Sequence, residues 1–260
     1  MEQNQRTIVK HQPTWIESAQ QSLQYNLNIS SQKKDGPKPK RVSSDKYNYK
    51  GLITDRPHIT IIAGKKGSGK SYLCCKLLLT SWRYKYDKVI FISPTFRAQY
   101  DKLWSKLSPE GITVHDTLTE CFINKLMETL SSCKNANSTL LILDDLGEEF
   151  RKICPRVVNM LVSNSRHYRL SIVCLHQRLT QSPPIMRANA DCIIAFSACS
   201  YTETEALWKM VATVPRKEFQ HMFNSATQKP HSFLVSMVDS GGRLRHYHMD
   251  FMTEIKPIIK

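Results

Sequence analysis

Between residues 64 and 71 the chain reads Gly64-Lys65-Lys66-Gly67-Ser68-Gly69-Lys70-Ser71, a full match to G-x-x-x-x-G-K-[ST]. Glycines at this spacing permit positive φ, so that successive N–H groups turn inward around a chain of phosphates. Lys70 is placed to reach β- and γ-phosphates and the Ser71 hydroxyl to ligate Mg²⁺, with ATP the expected fuel. A second stretch, Leu140-Leu141-Ile142-Leu143-Asp144-Asp145, carries two carboxylates at the end of an apolar run. A buried carboxylate needs a cation, so Asp144 suits a place at Mg²⁺. Asp145 then stands where a general base polarises an attacking water. Gln177 closes a third apolar run, Leu170-Ser171-Ile172-Val173-Cys174-Leu175, and is positioned to hydrogen-bond a γ-phosphate or that water. Arg166, Arg169 and Arg187 flank the run as candidate arginine fingers; such a residue contributes about 10³ to 10⁵ in rate.

These side chains need a frame that brings distant strand ends together. Apolar runs at His58–Ala63, Lys88–Ile92, Ile112–His115, Thr139–Leu143, Leu170–Leu175 and Cys192–Phe196 read as strands. Helical spacing follows over Lys70 to about Tyr84, Tyr100–Leu107, Leu118–Ser132, Arg156–His167 and Thr202–Met210. Strands alternating with helices predict an α/β fold, a mostly parallel sheet flanked by helices. Ser232–Val238, a Ser240-Gly241-Gly242 turn and Arg243–Phe251 predict a C-terminal β-hairpin that extends the sheet.

The chain has 260 residues, enough for one sizeable domain and an appendage. Residues 1–50 read as a polar, basic N-terminal arm, with a weakly amphipathic stretch around Trp15, Ile16, Leu23 and Leu27 and a run of Lys and Arg from Lys33 to Lys50. Residues 51–260 read as the nucleotide-handling domain. The arm suits contact with DNA or a partner, a nuclear-import signal, or a mere solvated tail. Lys plus Arg number 37 against 22 acidic residues, a formal charge of +15, which favours an anionic partner, nucleic acid first. Eight cysteines occur without a C-x-x-C pair, and several lie in apolar runs, which speaks against disulfides and zinc and for a reducing compartment. No signal peptide opens the chain and no apolar run reaches spanning length, so a soluble intracellular protein with no membrane partner is expected.

The order GKKGSGKS, LLILDDL, then Ser165-Arg166-His167-Tyr168-Arg169-Leu170-Ser171 leading to His176-Gln177, and then Pro184 to Asp191, resembles the viral genome-packaging ATPases. These belong to the FtsK/HerA superfamily of ring-forming DNA translocases and occur in poxviruses, other large DNA viruses, virophages and Polinton-like elements. The resemblance covers roughly residues 55 to 250. It implies a RecA/FtsK-like sheet in which the Gln-tipped strand lies between the phosphate-loop strand and the acidic strand. It also implies a ring homo-oligomer, usually a hexamer, that draws double-stranded DNA through its centre, with capsid or portal proteins as further partners. The setting it implies is the host-cell site of virus assembly (cytoplasm or viral factory) and the virion. Carried over by position, Arg166 becomes the preferred finger and Gln177 the sensor. Many superfamily members place Glu after the magnesium Asp; this chain has Asp145, one methylene shorter, which brings Glu148 and Glu149 in as sharers of the water-activating role.

Three rivals stand beside packaging. A ring helicase or other DNA-remodelling ATPase uses the same parts. A nucleotide kinase wants an arginine-rich lid and a lone Asp, and the Asp144-Asp145 pair with Gln177 argues against it. A DNA-binding assembly protein that uses nucleotide only as a switch is disfavoured by an intact Lys70 and Asp144. A terminase-type nuclease needs clustered carboxylates after the core, where only the isolated Asp239, Asp250 and Glu254 stand.

Overall fold

The computed structural model describes residues 56–78, 82, 85–96, 112–132, 138–197, 200–211, 214–238, 245–251 and 253–255. The arm, the Tyr100–Leu107 helix, the Ser240–Gly242 turn, most of the expected first helix beyond Leu78, and Cys133 and Cys199 lie outside them.

Six strands follow the apolar runs closely: β1 Ile59–Ala63, β2 Lys88–Ile92, β3 Ile112–His115, β4 Thr139–Asp144, β5 Leu170–His176 and β6 Cys192–Phe196. They are parallel, and β7 (Phe233–Val238), β8 (Arg245–Met249) and β9 (Thr253–Ile255) continue the sheet antiparallel. The order is β3-β2-β4-β5-β1-β6-β7-β8-β9, so the Gln177-tipped strand lies between the phosphate-loop strand and the acidic strand. The expected hairpin is β7–β8, with β9 an added edge strand.

Seven described helices cover the two faces: α1 Lys70–Leu77, α2 Glu120–Ser132, α3 Gly147–Lys152, α4 Pro155–Asn164, α5 Pro184–Ala188, α6 Tyr201–Val211 and α7 Arg216–Ala226. Side chains of a strand alternate between faces. On one face Ile62, Phe91, Leu140, Ile142, Val173 and Leu175 meet Leu73, Cys74 and Leu77 of α1 together with Trp82. On the other, Ile90, Leu141, Leu143, Ile172 and Cys174 meet α2 and α4 through Ile123, Leu126, Val158 and Leu161. Ile61, Ile193 and Leu234 carry that face on to α6 and α7 through Leu207, Val211, Phe219 and Phe223. Tyr247 locks β8 to this layer, its buried hydroxyl donating to the Val211 carbonyl at 2.6 Å. Strands buried on both faces explain the continuous apolar runs that made the parallel half readable.

The Arg156–His167 helix is shorter than expected, and the additional α3, α5 and α7 had no counterpart in the periodic pattern. Pro155 and Pro184 each open a helix at its first position, where a missing N–H does no harm. Cys74, Cys75, Cys174 and Cys192 are buried free thiols, while Cys121 and Cys154 are free and exposed. Burial, with Asp144 nearby, pushes the Cys75 thiol up to about 12. Among the described residues no helix is long and apolar enough to cross a membrane, and no group of three or more His, Cys, Asp and Glu stands ready to hold a metal.

Candidate functional site

The carboxyl ends of β1, β5 and β4 lie side by side, with Ala63 opposite His176 and Asp144 opposite Leu175. Gly64, Gln177 and Asp145 therefore leave the sheet along one edge, at the switch point where open α/β sheets take ligands. Two backbone bonds fix that edge: Gly64 N–H donates to the His176 carbonyl at 3.2 Å and Asp145 N–H to the Leu175 carbonyl at 3.0 Å.

The loop itself is a tight arch between β1 and α1. Gly67 and Gly69 take φ of 78° and 106°, which L side chains rarely adopt. Gly64 is glycine for a different reason: a Cβ there would stand 2.7 Å from Phe196 Cβ and 2.8 Å from Ser68 Oγ. Lys70 folds its ammonium back into the arch, donating to the Gly64 carbonyl at 2.6 Å and the Lys65 carbonyl at 3.0 Å. Ser68 Oγ is buried with no hydrogen-bond partner among the described residues. An orphaned hydroxyl, a cation held inside the arch and a helix N-terminus behind it suit a polyphosphate.

Asp144 is 4% exposed and lies on the α1 face of the sheet, in line with Leu140 and Ile142. Its charge reaches the Cys74 and Cys75 thiols of α1. Oδ2 accepts the hydroxyl of Ser93, a fully buried residue just past β2, at 3.1 Å. Ser93 was visible in the sequence only as a polar residue at a strand end, and nothing there tied it to Asp144. Carboxylate and hydroxyl oxygens of the Asp144 and Ser71 kind are what a hard cation such as Mg²⁺ requires.

Asp145 holds φ of 55°, a left-handed conformation that Asp tolerates better than most residues. Its carboxylate accepts from the Gln177 amide, Nε2 lying 3.2 Å from Oδ2 and 3.5 Å from Oδ1. A carboxylate only accepts, so the NH₂ side of Gln177 faces it and the amide oxygen points elsewhere. Glu148 lies in the first turn of α3 and forms an exposed ion pair with Arg151 at 2.7 Å.

The segment after Gln177 is held by residues that the sequence did not mark. Glu203, in the first turn of α6, accepts the Leu179 N–H at 3.0 Å and the Thr180 hydroxyl at 3.2 Å. The Gln181 side chain accepts from Arg178 N–H at 2.9 Å and packs so closely on Gly147 that a Cβ there would meet it at 3.3 Å. His176, directly before Gln177, is 1% exposed, and neither ring nitrogen has a partner among the described residues. Burial, with the Lys70 charge adding to it, pushes its imidazole down to about 4.

Lys70, Asp144, Asp145 and Gln177 thus gather on one edge, and Arg166 does not join them. It lies before β5, at the opposite end of a strand about 20 Å long. There its guanidinium meets Asp191 Oδ1 at 3.1 Å, while Asp191 Oδ2 accepts the Ile59 N–H at 2.9 Å. Arg169, in the turn just before β5 with φ of 50°, shares that end. Arg187 is half-buried in α5 and donates to the Ser182 carbonyl at 3.1 Å.

Comparison with known proteins adds descent to this geometry. The family model described as "Poxvirus A32 protein" matches residues 44–240. The DNA packaging protein OPG160 of variola virus is 26% identical over 174 residues, covering 65% of this chain and 63% of that protein. Protein 015R of frog virus 3, itself uncharacterized, is 24% identical over 197 residues, covering 74% of this chain and 60% of that protein. The matched segments thus span less than two thirds of either relative. Among solved structures, the genome packaging NTPase B204 of Sulfolobus turreted icosahedral virus 2, in complex with AMPPCP, superposes with a TM-score of 0.55 at 24% identity. That match covers 79% of this chain and all of B204, and it shows a shared fold.

Proposed function

The chain belongs to the poxvirus A32 protein family, and on that premise we propose that it is the ATPase of a viral genome-packaging motor. In this reading it hydrolyses ATP with Mg²⁺ at sites shared between the subunits of a ring and moves double-stranded DNA into a capsid. The observation that carries it is the Gln177 amide on the Asp145 carboxylate at 3.2 Å, which joins the tip of β5, next to the phosphate-loop strand, to the tip of β4 beyond it. Relatives named for DNA packaging and a like-folded genome packaging NTPase support it.

The residues divide the work as follows. The arch from Gly64 to Ser71 cradles the phosphates, and Lys70 turns from its own loop carbonyls to the β- and γ-phosphates. Ser71 and Asp144 would hold Mg²⁺, with Ser93 orienting the carboxylate. Held there, Mg²⁺ would supply positive charge against the phosphates. An Asp145 carboxylate oxygen takes the proton of the attacking water. Gln177 keeps that carboxylate aimed and, being rooted in β5, passes its displacement on to the Leu179–Gln181 segment that Glu203 clamps. Arg166 serves the neighbouring subunit's site, since its place at the far end of β5 excludes it from its own.

Magnesium-dependent ATP hydrolysis is expected, stimulated by double-stranded DNA with a steep loss as salt rises, because phosphate contacts release counterions. Lys70→Ala abolishes turnover; full turnover in that variant refutes the site assignment. Hydrolysis driven by a nucleoside and indifferent to DNA refutes the packaging reading in favour of a kinase. Mixing Arg166→Ala subunits with Lys70→Ala subunits restores part of the activity, because some interfaces then pair an intact loop with an intact arginine. No recovery at any ratio, in assemblies shown by mass to be mixed, removes Arg166 as a finger in trans.

A further inference from the structure

The phosphate loop is closed locally on both sides of one peptide bond. Ser68 N–H donates to the Lys65 carbonyl at 3.2 Å, which completes the turn through Lys66 and Gly67. The Gly69 carbonyl accepts the Leu73 N–H at 2.8 Å and so already belongs to α1. Between these two units lies the Ser68–Gly69 peptide, and its carbonyl meets a partner from far along the chain. His231 Nδ1 lies 3.1 Å from the Ser68 oxygen. We propose that His231 is a positioning residue for nucleotide binding, which turns the Ser68–Gly69 peptide so that the Gly69 N–H faces the phosphates. The inference rests on the phosphate-loop reading above.

Peptide geometry sets the direction. A carbonyl oxygen only accepts, so Nδ1 carries the proton in this contact. A trans peptide is planar, with its C=O and N–H on opposite sides. Drawing the Ser68 carbonyl to His231 therefore points the Gly69 N–H away from it and, as proposed, into the arch that holds the Lys70 ammonium. Gly69 makes such a tether useful. With φ of 106° and no side chain, it lets this peptide rotate at low cost. A loop N–H that is fixed beforehand loses less entropy when phosphate binds.

His231 is held for this contact rather than for the core. It is exposed, and its φ of 63° is one that a non-glycine residue keeps only where its surroundings impose it. The turn between β8 and β9 does so. Asp250 accepts the Ser232 hydroxyl at 3.2 Å and the Phe233 N–H at 2.9 Å, and its own N–H donates to the Phe233 carbonyl at 3.2 Å. Aromatic rings continue the brace: Phe251 meets Phe233 at 5.2 Å, and Phe233 meets Phe196 at 5.1 Å. Phe196 is the residue that leaves no room for a side chain at Gly64. The aromatic stack thus stands against the first glycine of the loop while His231 holds the peptide before the last.

Loop N–H groups hold ground state and transition state alike, so losing one raises KM and spares kcat. Two substitutions accept the left-handed backbone and differ in the donor. His231→Gly takes a positive φ freely and has no side-chain donor. His231→Asn tolerates the same φ and offers an amide N–H close to where Nδ1 stood.

The test is calorimetric titration of the full chain with Mg²⁺ and two probes, inorganic tripolyphosphate and a non-hydrolysable ATP analogue, alongside steady-state ATP hydrolysis. His231→Gly is expected to weaken both probes by the same factor, about tenfold, as for a hydrogen bond to a charged group. Its KM rises by a like factor while kcat stays within about threefold of wild type. His231→Asn restores wild-type affinity for both probes. Unchanged tripolyphosphate affinity in His231→Gly overturns the inference. So does a loss confined to the ATP analogue, because His231 then meets the nucleoside and not the loop. An Asn variant as weak as the Gly variant, or a fall in kcat with KM unchanged, overturns it as well. Lys70→Ala tests the phosphate reading separately: it weakens both probes, and if it does not, that reading falls. Failure of wild type to bind either probe overturns the phosphate reading and the role of His231 with it.

Discussion

On one side of β1 stand β5 and β4, whose ends carry Gln177, Asp144 and Asp145; on the other stand β6 and β7, which carry Phe196 and Phe233. The first flank is polar and cross-linked by side-chain hydrogen bonds: Gln177 to Asp145, Ser93 to Asp144. The second is aromatic, and His231 ties it to the loop through a backbone carbonyl. Strand direction changes with the chemistry. β5 and β4 both end at the loop, so each contributes a residue just past a parallel strand. β7 runs antiparallel to β6 and begins there, which puts Phe233 directly opposite Phe196. In the proposed reading the tasks divide: charge and protons are handled where parallel strands end, and aromatic surface gathers where the sheet reverses.

Substitutions on the polar flank should therefore alter turnover more than affinity. Asp145→Asn keeps an oxygen for the Gln177 amide and removes the base, so kcat falls about 10²- to 10⁴-fold while nucleotide affinity stays within about threefold. Gln177→Ala removes a hydrogen bond to a charged group and lowers kcat about ten- to a hundredfold. Steady-state hydrolysis alongside equilibrium binding separates the two quantities. If either variant loses affinity and keeps its kcat, the polar flank binds rather than catalyses and the contrast between the flanks collapses.

The sequence made the two flanks legible to different degrees. The parallel strands are buried on both faces, so each shows as an unbroken apolar run, and Asp144 and Gln177 stand out as polar residues closing such runs. The loop is written in contiguous residues, and its glycines are dictated by local φ and by the approach of Phe196. The contact between Asp145 and Gln177 joins residues 32 positions apart, and strand adjacency alone creates it. The β4-β5-β1 order came through resemblance, since periodicity says which segments are strands and not which are neighbours. Ser93, Glu203 and His231 were not readable as parts of the site: each is a single polar residue beside a helix or strand end, and only the fold supplies its partner. The helices α3 and α5 were missed because, six and five residues long, they are too short to show a period. Arg166 shows the converse, a residue conspicuous in sequence that the fold carries to the far end of the sheet.

The smallest expected effect concerns stability and comes from His176, buried on the polar flank. Its folded-state value of about 4 lies below the roughly 6.5 of an unfolded histidine. Between those values the unfolded chain binds a proton that the native state refuses, so stability is fully present above about pH 6.5 and drains as pH falls towards 4. The difference amounts to about 3 kcal/mol. His58 and His115, also lowered by burial, act in the same direction. His176→Leu removes the proton site and the two unpartnered nitrogens together. Near neutral pH it should change stability by less than about 1.5 kcal/mol, and its urea midpoint should fall less steeply on acidification than that of wild type. Parallel curves for the two proteins from pH 7.5 to 4.5 would mean that His176 takes up its proton in the native state. The flank would then have polar partners for the imidazole, and the strand tip before Gln177 would be looser than the packing against Phe150 suggests.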